Sequence, residues 1–218
     1  MTPFVIAVDG PAASGKGTVA SGLARAYALP YLDTGLLYRA VGVGVLAAGA
    51  SPDDAQAATR IAEALQPEGL DGPELRTAAA GEAASRVAAH SGVRAALVAF
   101  QRAFADQPGG SVLDGRDIGT VIAPDAPCKL FVTAAPEVRA ERRWKQLSAA
   151  DPTIALAEVL ADIRRRDERD SGRAAAPLLM ADDAVLLDTS NLTIREAADA
   201  ARRIVETARA RWEASQNG

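Results

Sequence analysis

The apolar run Phe4-Val5-Ile6-Ala7-Val8 empties directly into Asp9-Gly10-Pro11-Ala12-Ala13-Ser14-Gly15-Lys16-Gly17-Thr18. Nothing else in the chain restricts the fold so strongly. A glycine turn of this kind aims successive backbone N–H groups into one concavity, so it belongs where a buried strand stops and a helix starts. Gly10, Gly15 and Lys16 have the spacing of a phosphate-binding loop, with Gly17 standing before the hydroxyl residue Thr18. Apolar positions at Val19, Leu23 and Ala26 predict a helix from Thr18 to Leu29. Its positive dipole end and the Lys16 ammonium both favour a polyphosphate, and the Thr18 hydroxyl suits a magnesium ion bridging the phosphates. Lys16 is one of three lysines, with Lys129 and Lys145, in a chain that otherwise uses arginine. A lysine falling here by accident is a poor explanation.

Composition fits one enzyme domain. A chain of 218 residues is long enough for a single sizeable core with insertions. The net charge of −4 argues against a general binder of nucleic acid or membrane surfaces. No window approaches eighteen unbroken apolar residues, and the N-terminus carries neither a basic segment nor a cleavage pattern. A cytoplasmic protein is therefore expected, with monomer as the default state. Cys128 is the lone cysteine and reads as a core thiol, which excludes an internal disulfide or a thiolate metal site. His90 is the single histidine and reads as an ordinary loop or surface residue, so no histidine pair is present for acid–base work or a metal.

Short apolar segments alternate with longer amphipathic ones. Strands are predicted at Phe4–Asp9, Tyr31–Asp33, Ser111–Asp114, Lys129–Thr133 and Val185–Asp188. This α/β pattern predicts a five-stranded parallel sheet with helices on both faces, and a helix after each strand. Helix starts are signalled at Ser51-Pro52-Asp53-Asp54 and, as a capping box, at Thr193-Ile194-Arg195-Glu196. The span from Gly35 to Gly110 is too long for one crossover helix and includes a Pro/Gly-rich patch at Gln66–Pro73. An insertion on the ligand side of the sheet is expected there.

Three charged clusters fall at or before strand ends, where open α/β sheets bind ligands. The first is Asp33-Thr34-Gly35 with Tyr38-Arg39; a hydroxyl and an arginine here suit a phosphate or a polar base edge, or simply a helix cap beside a solvated arginine. The second is Asp114-Gly115-Arg116-Asp117, where Asp114 stands in the position of a carboxylate that orders magnesium and its waters. The third runs from Arg164 to Arg173, with Arg166, Arg169, Asp170 and Arg173 on one face at helical spacing and a hinge at Ser171-Gly172. Such a run is usually a solvated helix face. Beside a phosphate loop it also suits arginines closing over a transferring phosphoryl group.

Together with Ala84-Ser85-Arg86-Val87-Ala88, Asp114 through Thr120, and Arg166-Asp167-Glu168-Arg169-Asp170 followed by Arg173-Ala174-Ala175-Ala176-Pro177-Leu178, these motifs closely resemble bacterial cytidylate kinases. The resemblance runs in order from Phe4 to the final helix. It implies transfer of the γ-phosphoryl group of ATP to CMP or dCMP with Mg²⁺, the metal held by Thr18 and, through water, Asp114. Gly10, Pro11, Ala12, Ala13, Ser14, Gly15, Lys16, Gly17 and Thr18 would hold ATP, with Arg142 a further triphosphate candidate. Thr34, Ser85, Arg94 and Asp117 would surround the cytidine, and Arg39 and Arg116 would grip its phosphate. Arg166 and Asp170 would contact the ribose, and Arg173 the transferring group. Lys16, Arg116, Arg173 and Asp114 would carry catalysis.

The same resemblance implies a core of residues 1–34, 108–141 and 177–218, a monophosphate-binding insertion at about 35–107 and a lid at about 142–176. The chain departs from the common pattern at Leu65–Thr77, where a longer insert with small strands is usual. Three rivals remain at this stage, one of them a structural domain with a relic phosphate loop, which predicts scattered and not convergent charges. A phosphate-loop kinase for another small acceptor, such as a different nucleoside monophosphate or shikimate, would share most of these motifs. A GTP-hydrolysing switch would need an Asn/Thr-Lys-x-Asp motif near a late strand, and the last strand instead ends Leu187-Asp188-Thr189-Ser190.

Overall fold

A computed structural model describes residues 3–66, 70–149 and 151–216. Among them, β1 (Val5–Asp9), β2 (Tyr31–Asp33), β3 (Ser111–Gly115), β4 (Cys128–Thr133) and β5 (Val185–Asp188) pair in parallel in the order β2-β3-β1-β4-β5. The predicted sheet is present, with each strand within one residue of its expected limits. β1 occupies the centre. Its residues are buried on both faces, which is why it reads as an unbroken apolar run and not as an alternation.

The period of two then sorts those residues between two cores. Phe4, Ile6 and Val8 pack with Val19 and Leu23 of α1 (Lys16–Tyr27) and with Ala197, Ala201 and Val205 of the last helix (Ile194–Gln216). Val5 and Ala7 pack with Leu113, Ile118 and Ile122 on the opposite face. Cys128 lies in the first of these cores, and burial pushes its thiol up to about 12.

Between β2 and β3 the chain forms α2 (Thr34–Ala47), α3 (Ala55–Glu63), a short 3-10 turn (Pro73–Arg76), α4 (Ala78–Val87) and α5 (Ser91–Ala105). These elements share their own core of Leu37, Val41, Val45, Ala58, Val87, Val93 and Leu97. The alanine-rich composition has a use here. A side-chain carbon on Gly42 would fall 2.8 Å from Ala83 Cβ, so α2 and α4 meet almost backbone to backbone. Of the Gln66–Pro73 patch, residues 67–69 lie outside the described residues, and the rest carries no strand before the 3-10 turn.

After β4 come α6 (Pro136–Ser148) and α7 (Leu156–Ser171), and after β5 the long α8 (Ile194–Gln216). The capping box at Thr193 forms as read: Thr193 N–H donates to Glu196 Oε2 at 2.8 Å and Glu196 N–H to Thr193 Oγ1 at 3.2 Å. Three expectations need correction. α1 begins at Lys16 and stops at Tyr27, two residues early at each end, because Ala28 turns left-handed and its N–H caps Ala24 and Arg25 carbonyls. α3 is capped by Asp54 and not by Ser51, since Asp54 Oδ1 takes the N–H groups of Gln56 and Ala57. Finally, β3 is followed by a single π-helical turn at Ile118–Ile122, held open by Asp9, whose two oxygens accept the Ile118 and Gly119 N–H groups at 2.8 Å each.

Candidate functional site

The loop after β1 owes its shape to glycines at two points. Gly10 has φ +153°, and a Cβ there would lie 1.9 Å from the Val132 carbonyl oxygen, so only glycine lets the chain cross so close to β4. Gly15 has φ +90° and opens α1. Between them the loop separates two cavities. A larger one of about 890 Å³ lies between α1, α6 and the start of α8; a smaller one of about 180 Å³ lies under α2, α4 and the end of α7. Lys16 and Gly17 line both.

The larger cavity takes Ala13, Gly15, Lys16, Gly17, Thr18 and Arg142 from the residues expected around ATP. Gly10, Pro11, Ala12 and Ser14 are buried beneath it and form the base of the loop. Leu192 and Ile194 add an apolar wall that the sequence did not single out. Ile194 is 76% exposed, an unusual position for an isoleucine outside a ligand-binding wall.

The smaller cavity gathers Thr34, Arg39, Ser85, Arg94, Arg116, Asp117, Arg166, Asp170 and Arg173, the complete set expected around CMP, together with Lys16 and Asp114. The nine expected around CMP come from α2, α4, α5, α7 and the segments after β3 and α7, up to 139 positions apart in sequence between Thr34 and Arg173. Asp170 is the anchor among them. It accepts the Ser85 hydroxyl at 3.0 Å and Arg116 Nε at 2.9 Å, also pairs with Arg173, and has Arg166 at 3.8 Å. Burial alone would raise its carboxyl, but Arg116, Arg173 and Arg166 outweigh burial and hold it at about 2.

A second buried pair joins Arg94 to Asp117, and the Arg94 guanidinium stands 5.6 Å over the Tyr38 ring. Burial raises Asp117 against the pull of Arg94, Arg173 and Arg116. Arg39 donates to the Leu75 and Thr77 carbonyls at 2.8 and 3.3 Å, which ties α2 to the 3-10 turn. Burial and the neighbouring Arg143 lower it.

The Lys16 ammonium is drawn down to about 8 by burial and by Arg116, against Asp114 and Asp33. Asp114 is raised to about 6, chiefly by burial and by Asp33 across the β2–β3 register. Tyr31, unremarked in the sequence, donates its phenol to Asp114 Oδ1 at 2.7 Å, and burial raises that phenol. A Cβ on Gly17 would stand 3.7 Å from Asp114 Oδ2, so a hard carboxylate oxygen lies against the loop, with the exposed Thr18 hydroxyl on the next residue. One carboxylate and one hydroxyl suit Mg²⁺, which keeps most of its waters and takes its other ligands from phosphates. The described residues contain no cluster of three or more His, Cys, Asp or Glu that could hold a metal unaided.

Other arginines of the charged run point elsewhere. Arg169 pairs with Glu82 at 2.9 Å, and Arg173 lies beyond α7, which ends at Ser171, so the expected four-residue helical face is shared between a helix and the segment after it. His90 lies, as expected, in the loop between α4 and α5, half-buried with its Nε2 2.9 Å from the Pro52 carbonyl. Asp33, Tyr31, Tyr38, Asp9 and Thr189 are site residues to which the sequence assigned no role. Asp33 and Tyr38 flank motif residues and were legible by adjacency; Thr189 carried no local signal.

Comparison with known proteins agrees with this geometry. A cytidylate kinase family model matches residues 6–207. Cytidylate kinase of Caulobacter sp. strain K31 is 68% identical over 96% of this chain and 97% of its own length. Cytidylate kinase of Xanthobacter autotrophicus strain Py2 is 65% identical over 95% of this chain and 99% of its own. Among solved structures, an uncharacterized protein from Eubacterium ventriosum superposes with a TM-score of 0.56 at 16% identity, over 93% of this chain and 98% of that one, a likeness of fold. A family model matching residues 6–207 and relatives 65–68% identical over nearly the whole chain show that this chain belongs to the cytidylate kinase family.

Proposed function

We infer that this protein transfers the γ-phosphoryl group of ATP to CMP or dCMP, giving ADP and CDP or dCDP. The observation that carries the reading is the shared wall of Lys16 and Gly17 between a large cavity and a smaller one rich in arginine. ATP in the large cavity would direct its γ-phosphate across that wall toward the acceptor. A CMP phosphate oxygen attacks Pγ, the new O–Pγ bond forms as the bond from Pγ to the β,γ-bridging oxygen breaks, and the electron pair leaves on that oxygen with ADP. No general base is required, because the phosphate oxygen is already a nucleophile; the barrier is charge repulsion between two polyanions.

Arg39, Arg116, Arg173 and Lys16 offset that repulsion at the acceptor and at the transferring group. Asp114 and Thr18 would hold Mg²⁺, which when bound neutralises charge on the ATP phosphates. Arg94, Asp117, Ser85 and Thr34 are assigned to the base, and Arg166 and Asp170 to the ribose. In the chain's organisation, residues 35–107 would be the monophosphate-binding insertion and 142–176 the lid that excludes water. A monomer in the cytoplasm, where ATP and nucleoside monophosphates meet, is the setting we propose for this reaction.

A coupled assay with CMP, dCMP, UMP, AMP and shikimate as acceptors tests the assignment. CMP and dCMP are expected to give the highest kcat/KM. A higher value for any of the other three would replace the proposed acceptor.

A further inference from the structure

We propose that Thr189, which follows β5, is a positioning residue for the phosphate loop: its hydroxyl fixes the Ser14–Gly15 peptide so that the Gly15 N–H faces the triphosphate cavity. The inference rests on the reading of that cavity as the ATP site. Thr189 is 3% exposed, and its backbone is already committed, with its N–H donating to the Thr133 carbonyl at 2.8 Å. Its Oγ1 lies 2.8 Å from the Ser14 carbonyl and 3.1 Å from that of Thr133. A hydroxyl has one proton to give. Since Thr133 is satisfied by the backbone and Ser14 is nearer, the proton belongs to Ser14.

The acceptor side of the same hydroxyl is filled by Arg142, whose Nη1 donates to Thr189 Oγ1 at 3.0 Å while its Nη2 donates to the Thr189 carbonyl at 2.7 Å. The only other polar neighbour of the Ser14 oxygen among the described contacts is the same Arg142 Nη1, at a long 3.4 Å. Thr189 therefore carries the main restraint on this peptide.

The peptide is trans, so its C=O and N–H point in opposite directions. Tying the Ser14 oxygen to Thr189 fixes the plane of this peptide and with it the direction of the Gly15 N–H, and Gly15, Thr189 and Arg142 all line the larger cavity. A left-handed glycine flips this plane easily when nothing holds the carbonyl. Arg142, on α6, pulls on the same hydroxyl and polarises it toward Ser14. One side chain thus connects the loop, the edge of the sheet and the helix that begins the arginine-rich segment.

The test compares Thr189→Val, which keeps the shape and removes the hydroxyl, with Thr189→Ser, which keeps the hydroxyl. Affinities for ATP and for CMP are measured separately by calorimetry on the full chain. Thr189→Val is expected to lose about five- to tenfold in ATP affinity, the size of one neutral hydrogen bond, with CMP affinity within about twofold of the parent. Thr189→Ser is expected to restore ATP binding. If the valine variant fails to fold, Thr189→Ala against Thr189→Ser gives the same hydroxyl-only difference. Unchanged ATP affinity on loss of the hydroxyl, an equal fall for both nucleotides, or a serine variant as weak as the valine one would overturn the proposal. A parent protein that does not bind ATP at all would instead overturn the functional reading beneath it.

Discussion

Arg116 Nε donates to Asp170 Oδ2 across 2.9 Å, joining residues 54 positions apart at the mouth of the smaller cavity. With Arg173 and Arg166 also turned toward it, Asp170 supplies the negative charge around which these arginines gather without a phosphate. Asp170→Asn should therefore destabilise the unliganded protein by about 2 kcal/mol at pH 7, from a carboxyl held at about 2 against an ordinary 3.8. Because its pKa is depressed, this contribution is complete above about pH 4 and fades as pH falls toward 2. Urea unfolding of both proteins should show a gap that narrows below pH 4; a gap independent of pH would contradict the assignment.

Asp9 carries the opposite sign. Burial lifts its carboxyl to about 7 against two backbone N–H donors, so the folded protein retains a proton that the unfolded chain gives up above about 3.8. Its contribution to stability is full at low pH and declines as pH rises from 4 through 7. Asp9→Asn sets an amide donor against one of the Ile118 and Gly119 N–H groups and should cost about 1–3 kcal/mol. The difference from the parent protein is expected to be larger at pH 5 than at pH 7.5 in chemical denaturation.

Lys16→Met is expected to leave the melting temperature nearly unchanged and to lower kcat by several orders of magnitude. The lysine lines both cavities and packs no core, so its loss removes charge where the two phosphates meet. Circular dichroism and a coupled assay on the same preparation decide it. Turnover within tenfold of the parent would remove the loop from the chemistry.

For base choice, Asp117→Asn is the informative change. Cytosine offers an amine where uracil offers a carbonyl, and a carboxylate accepts from the first and repels the second. The ratio of kcat/KM for CMP over UMP should fall about tenfold or more. A proportionate loss on both nucleotides would move Asp117 to the phosphate machinery. Arg94, buried beside it, loses its ionic partner in this variant, so lower stability accompanies the switch.

Gly42→Ala tests packing away from the chemistry. The added methyl would meet Ala83 Cβ at 2.8 Å, and helix backbones on both sides leave nowhere to yield. A loss of about 1–3 kcal/mol is expected from overpacking. Denaturant midpoints for the two proteins settle the value.

The sheet was legible because its strands are short apolar runs bounded by Asp, Gly or Pro, a pattern set in β1 and β3 by burial on both faces. The two cavities' charged linings were legible wherever the residues cluster locally, as in Asp114 to Asp117 or Arg166 to Arg173. What stayed hidden depends on contacts between distant segments. Asp9 reads as the last residue of a strand, yet it reaches 109 positions on to accept the first N–H groups of the single helical turn after β3. Tyr31 reads as an edge-strand aromatic, and only the β2–β3 register brings its hydroxyl to Asp114. The two-residue shift of α1 follows from Gly15 and Ala28, whose left-handed backbones are set by the loop and not by apolar spacing.

The strand order β2-β3-β1-β4-β5 also divides the work between stretches of chain. Elements between β2 and β3 build one side of the smaller cavity, which the end of β3 and α7 complete, whereas α1, α6 and the start of α8 build the larger one. The two meet only along Lys16 and Gly17. The helices between β2 and β3 can thus be rewritten around the acceptor without touching any residue of the larger cavity, so a change of acceptor need not disturb the donor site.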